Sequence, residues 1–73
     1  MGYNIAVAGA TGAVGREMLQ TLAERNFPAD SVHALASRGS VGKMISYGED
    51  RDLTVEALES FDFSKVDIVL FSA

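Results

Sequence analysis

Apolar residues along this chain fall into short continuous runs separated by one stripe of helical period. Ile5-Ala6-Val7-Ala8 is a continuous apolar run that stops at Gly9. A run this short, closed by a glycine-rich turn, predicts a strand buried on both faces, as in a parallel sheet. Beyond the glycines, Val14, Met18 and Leu22 recur at a spacing of four, with Leu19 and Ala23 widening the stripe. Arg16, Glu17, Gln20, Thr21, Glu24 and Arg25 fill the other side, which predicts an amphipathic helix. Asn26 can end that helix in a left-handed conformation, and Pro28 cannot continue it. Asp30-Ser31 is expected to turn the chain into a second strand, Val32 to Ala36. Strand, glycine turn, helix and strand make a βαβ unit, whose crossover should be right-handed.

Farther along, Ser37 to Gly42 is a polar loop rich in Gly and Ser. Lys43 to Tyr47 and Leu53 to Ala57 predict a hairpin around Gly48-Glu49-Asp50-Arg51-Asp52. Glu56 to Lys65 shows no clear period and has room for one helical turn. Val66 to Phe71 is nearly continuous in apolar residues, interrupted only by Asp67, and reads as a buried strand. The expected class is α/β, a Rossmann-like partial parallel sheet: strand-helix-strand, a short hairpin and a final buried strand. No internal repeat, linker or low-complexity tract divides it.

Composition narrows the function. At 73 residues the chain is one structural unit at most, and so short a unit has marginal stability alone. Hydrophobic residues at 48% and charged residues at 22% mark a globular chain. A net charge of −4 supplies no basic stripe for nucleic-acid phosphates. The absence of Cys excludes a disulfide, a thiolate metal site and a cysteine nucleophile within these residues. No apolar run approaches the ~20 residues that span a bilayer, and no basic segment opens a signal peptide, so a cytoplasmic location is expected.

The chemistry concentrates in two loops. Gly9 allows a sharp turn at the strand end, Gly12 lets backbone approach a pyrophosphate, and Gly15 lets the helix pack close to the strand. The N–H groups of the helix start and its positive dipole end would then face the phosphates. Thr11 could offer its hydroxyl to a phosphate or cap the helix. A glycine triplet alone says little, but one set between a buried strand and an amphipathic helix is far more specific. NAD-binding sheets place Asp or Glu at the end of the second strand to hold the ribose hydroxyls. Here Ser37 and Arg38 stand there. A carboxylate would repel a 2′-phosphate, whereas a hydroxyl and a guanidinium accept one, so NADP is the expected cofactor. The competing reading makes Arg38 an ordinary solvated loop residue.

Other residues have plainer readings. His33 lies in a strand with no partner spaced for a triad or metal site, which makes it structural. Glu49-Asp50-Arg51-Asp52 reads as a solvated hairpin tip, with too few ligands for a metal. Phe61 and Phe63 alternate and are expected to pack under the last strand, and Met18 and Met44 to fill core.

Three segments also carry a family resemblance: Ala6-Val7-Ala8-Gly9-Ala10-Thr11-Gly12-Ala13-Val14-Gly15, Leu35-Ala36-Ser37-Arg38-Gly39-Ser40-Val41-Gly42-Lys43 and Val66-Asp67-Ile68-Val69-Leu70-Phe71-Ser72-Ala73. In that order and spacing they resemble the opening of aspartate-semialdehyde dehydrogenases. The resemblance implies NADP-dependent reductive dephosphorylation of aspartyl phosphate to aspartate semialdehyde, on the route to lysine, threonine and methionine. It implies that Thr11, Gly12, Ala13 and Val14 wrap the cofactor phosphates and that Ser37 and Ser40 lie by the 2′-phosphate. Family members often carry Arg where Gly39 stands, in a Ser-x-Arg-Ser pattern. Arg38 reaching the phosphate from one residue earlier would preserve NADP preference, and its failure to do so would admit NAD.

Family members are several times longer, with the nucleophilic Cys, general-base His and substrate-binding Arg beyond residue 73. Residues 1–73 are therefore expected to be the first part of a dinucleotide-binding domain, inactive alone, with the catalytic and dimerisation domain outside them and the parent enzyme a homodimer or larger. N-acetyl-glutamyl-phosphate reductases and atypical short-chain reductases share parts of the pattern; the latter lack the hairpin. A non-catalytic nucleotide-binding module is the reading from a different class. An uncovered last strand predicts weak stability or self-association.

Overall fold

The computed structural model describes residues 2–49 and 51–71. Strand β1, Tyr3–Ala8, leads through the glycine turn into helix α1, Ala13–Glu24, and back into strand β2, Ala29–Ala36. Strands β3, Met44–Tyr47, and β4, Arg51–Thr54, form an antiparallel hairpin of their own. A two-residue strand β5, Glu56–Ala57, precedes two short 3-10 turns, Leu58–Ser60 and Phe63–Lys65, and strand β6, Ile68–Phe71, follows. The main sheet has the order β5-β2-β1-β6, and each of its pairings is parallel.

The strand–helix–strand unit is as the apolar pattern expects, with longer strands. β1 begins at Tyr3 because its N–H donates to Pro28 O at 2.8 Å and its ring packs 5.9 Å from that of Phe27. Asp30 and Ser31 are strand residues rather than a turn; Ser31 pairs with Asn4, and its hydroxyl donates to Asn4 Oδ1 at 2.8 Å. Arg25 caps α1, and Asn26 takes φ 50°, the left-handed stop its residue type allows.

Ile5 and Val7 of β1, Val32, Ala34 and Ala36 of β2 and Leu19 of α1 form the heart of the core. Met18, Leu22 and Ala23 pack against it, but Val14, placed on the same stripe by its spacing, is 48% exposed. The first turn of α1 lies at the sheet's end rather than over it, so a helical period continues there without a surface to face.

The hairpin completes this core. Ile45, Tyr47 and Leu53 point inward, and Met44, Ser46 and Thr54 outward, the alternation a one-sided ribbon requires. Met44 is therefore no core residue: it is 60% exposed. The hairpin strand expected over Leu53 to Ala57 is divided between two sheets. Arg51–Thr54 pairs with β3, whereas Glu56 and Ala57 pair with Leu35 and Ala36 of β2. Val55, 1% exposed, is the pivot, tied to the hairpin base by its N–H to Lys43 O at 2.8 Å. Arg51 and Asp52 belong to β4 rather than to the tip, and the Arg51 guanidinium stands 5.5 Å from the Tyr47 ring centroid. Asp50 of the expected loop lies outside the described residues, as do Ser72 and Ala73.

On the sheet face opposite α1, Phe61 packs beside His33, ring centroids 5.0 Å apart, and Phe63 meets Phe61 edge-on at 5.2 Å. The pair is thus anchored on β2 rather than under the last strand. His33 Nδ1 lies 2.9 Å from Glu56 Oε2, in keeping with a structural histidine. Val66 and Asp67 precede β6 instead of beginning it. Asp67 exchanges two bonds with Asn4, accepting from its N–H at 2.8 Å and donating to its carbonyl at 2.7 Å, which fastens the entry to β6. β6 forms one edge of the sheet, and its last residue, Phe71, is 69% exposed.

Asp62 caps the second 3-10 turn. The Ser64 hydroxyl at 2.6 Å and the Ser64 N–H at 3.0 Å both donate to Asp62 Oδ1 and hold its carboxyl below its ordinary value. The cap's contribution is complete above that ordinary value and is lost as pH falls through the lowered one. Ser64→Ala should return the Asp62 titration toward its ordinary value, read by carboxyl-carbon NMR; an unmoved midpoint would show that the hydroxyl is not the cause.

Candidate cofactor-binding site

Because β1, β2 and β6 run parallel, their carboxyl ends come out on one rim, with Ala8 paired to both Leu35 and Phe71. In open α/β sheets that rim is where ligands bind. Gly9 leaves β1 with φ 79°, a conformation open to glycine at little cost. Its N–H and that of Ala10 both donate to Leu35 O, at 2.9 and 3.0 Å, which ties the glycine turn to the end of β2. Gly12 N–H donates to Gly9 O at 3.1 Å and closes the turn.

At Gly15 the helix lies directly against the glycine turn. A Cβ there would overlap the Gly9 carbonyl oxygen and stand 2.7 Å from Ala10 Cα. The third glycine therefore sets the helix against the turn, as its spacing suggests. Gly12 is the N-cap and α1 begins at Ala13; no side chain caps it and no acidic residue occupies its first turn. Thr11 thus does not cap the helix. By helix geometry the N–H groups of Ala13, Val14 and Gly15 have no acceptor within the helix. Gly12, Ala13 and Val14 are exposed and Thr11 half-exposed, so the helix start is open on the rim.

The second loop leaves β2 beside it. Ser37 precedes a 3-10 turn over Arg38–Ser40, closed by Ser40 N–H to Ser37 O at 2.9 Å and Val41 N–H to Arg38 O at 3.2 Å. Ser37, Arg38 and Gly39 are exposed and Ser40 is half-buried. A Cβ added at Gly39 would meet nothing within 4 Å, so this position has room for a larger side chain. Ser37 and Arg38 line an open cavity of about 550 Å³ together with Leu58 and Glu59. The Arg38 side chain is 84% exposed, and its Nε and Nη2 each lie 2.7 Å from Glu59 Oε1.

The site residues expected from the sequence thus gather on one rim in two clusters, Gly9 and Thr11 to Val14 at the helix start, and Ser37 to Ser40 after β2. The sequence reading missed Leu58 and Glu59, which join the second cluster because β5 pairs with β2. A two-residue strand leaves no periodic signal, and a glutamate in an aperiodic tract looks like surface.

No helix among the described residues is long and apolar enough to cross a membrane. Residues 4–73 match the family model described as semialdehyde dehydrogenase, NAD binding domain, which makes a nicotinamide dinucleotide the cofactor class. The chain is 55% identical over 71 residues to an aspartate-semialdehyde dehydrogenase of Rickettsia bellii, an alignment covering 97% of this chain and 21% of that protein. It is 56% identical over 70 residues to the enzyme of that name from Legionella pneumophila, covering 96% and 20%. Among solved structures, aspartate semialdehyde dehydrogenase II from Vibrio cholerae, complexed with ASA, superposes with a TM-score of 0.92 at 46% identity, covering all of this chain and 24% of the other. The chain spans about a fifth of the length of these curated relatives. With the glycine turn, the parallel rim and the hairpin all in place, it belongs to the semialdehyde dehydrogenase NAD-binding domain family.

Proposed function

We propose that these residues form the first part of the NADP-binding domain of an aspartate-semialdehyde dehydrogenase, which acts in the reductive dephosphorylation of aspartyl phosphate to aspartate semialdehyde as a homodimer or larger assembly. The observation that carries this reading is the placement of an open, uncapped helix start and a Ser37-Arg38 turn on one rim of a parallel sheet. The residues fit the cofactor: a glycine turn holds the helix close, and the helix start at Gly12, Ala13 and Val14 is exposed, where its amides can meet a pyrophosphate. Thr11 to Val14 bind and orient the phosphates. Ser37, Arg38 and Ser40 receive the 2′-phosphate, with Gly39 leaving their approach unobstructed. When bound, the cofactor supplies the hydride; these residues hold it in place, and the groups that handle the substrate lie outside residues 1–73.

Titration with NADP and NAD, followed by amide NMR shifts, tests this. Shifts should concentrate at Thr11 to Val14 with both cofactors and extend to Ser37 to Ser40 more strongly with NADP. Equal response of the second loop to both would overturn the 2′-phosphate assignment. Gly39→Arg, which restores the family's more frequent residue at a position with free space, should tighten NADP binding about fivefold, the scale of one partly exposed charge-assisted hydrogen bond.

A further inference from the structure

Arg38 faces a partner that the sequence order hides. In the β2–β5 pairing Ala36 stands opposite Ala57, so the chains leaving the two strands run side by side. Arg38 and Glu59 each lie two residues past that pair, and their side chains meet in the lining of the open cavity they share with Ser37 and Leu58. Both the Nε and the Nη2 of Arg38 converge on one carboxylate oxygen of Glu59. That guanidinium edge is one of those able to grip a phosphate with two parallel hydrogen bonds. A 2′-phosphate, carrying roughly −1.5 to −2 charges, must take Arg38 from Glu59 and then sit near the released carboxylate. NAD, which has a hydroxyl there, disturbs neither.

We infer that Glu59 is a specificity-determining residue: by holding Arg38 it weakens the site's preference for NADP over NAD. Like the acidic residue at the end of the second strand in NAD-binding sheets, Glu59 opposes a 2′-phosphate, but it does so from the 3-10 turn after β5 and by occupying Arg38. Gly39 sharpens the effect, because no second arginine stands beside Arg38 to hold the phosphate while the pair opens. The inference rests on the reading that Arg38 receives the 2′-phosphate.

The test measures dissociation constants of NADP and NAD, at low ionic strength, for the unmodified chain and for Glu59→Gln, Glu59→Asp and Arg38→Ala. Both side chains are largely exposed, so the fold should tolerate each change. Glu59→Gln should tighten NADP about fivefold, the upper range for an exposed ion pair, and leave NAD within twofold. Glu59→Asp, which keeps the charge, should stay near the unmodified ratio. In the unmodified chain, the Arg38 Nε–H resonance should shift on adding NADP and stay in place with NAD. An unchanged ratio in Glu59→Gln, with NADP binding lost in Arg38→Ala, would overturn the role of Glu59 and leave Arg38 on the phosphate. A ratio unmoved by every variant, with a silent Nε–H resonance, would overturn the placement of the 2′-phosphate as well.

Discussion

Gly15→Ala should lower the melting temperature by roughly 8–16 °C and abolish the cofactor-induced shifts at Thr11 to Val14. The added methyl would overlap the Gly9 carbonyl oxygen and stand 2.7 Å from Ala10 Cα, so α1 must move away from the turn. The obstacle is backbone, which cannot swing aside as a flexible side chain can. Overpacking of this kind costs ~1–3 kcal/mol or more, and against backbone the upper end applies. Alanine recovers about 1 kcal/mol of helix propensity. The net of about 2 kcal/mol is a sizeable fraction of the ~4–11 kcal/mol expected for a chain of this length. Each kcal/mol corresponds to about 4–8 °C in a domain this small. Gly39→Ala is the matched control: its methyl meets nothing within 4 Å, and the melt should stay within about 2 °C of the unmodified chain. Thermal unfolding by circular dichroism reads both, and equal melts would show that α1 does not depend on a bare glycine at position 15.

The second large effect is expected at Leu19. This side chain is wholly buried, packed in the cluster of Ile5, Val7 and Val32 where helix and sheet meet. Leu19→Ala should cost about 2–5 kcal/mol, from lost burial together with the cavity left behind. At the upper end that approaches the whole stability of so small a chain, and the amide spectrum should collapse toward unfolded positions. Glu17→Ala, on the exposed side of the same helix, should change stability by less than about 0.5 kcal/mol. Urea titration separates the two variants. A Leu19→Ala midpoint close to that of Glu17→Ala would mean that the α1–sheet contact is not what holds the chain folded. The half-covered edge strand β6, ending in exposed Phe71, makes self-association the natural companion of any such loosening.

Much of this architecture is written locally. The run Ile5 to Ala8, the stripe from Met18 to Ala23, the stop at Asn26 and the three glycines each encode their own geometry, because strand alternation, helical period and steric freedom act over a few residues. The candidate rim was legible for the same reason: its parts are the ends of those elements. Where the local pattern failed, a distant partner had intervened. Asp30 and Ser31 carry turn chemistry, yet they are strand because β1 runs alongside: Ser31 pairs with Asn4, and Asp30 is the extra residue where the register shifts. Leu53 to Ala57 looks like one strand, but Val55 turns the chain so that Glu56 and Ala57 pair with β2. Val14 keeps the helical period past the edge of the sheet it would face, and Met44 is as apolar as Ile45 but falls on the outer side of the hairpin. Arg38 and Glu59 are 21 residues apart, and nothing in either neighbourhood announces the other. Only the parallel register of β2 and β5 brings them together, since pairing between strands is set by the packing of the whole chain rather than by the residues near each.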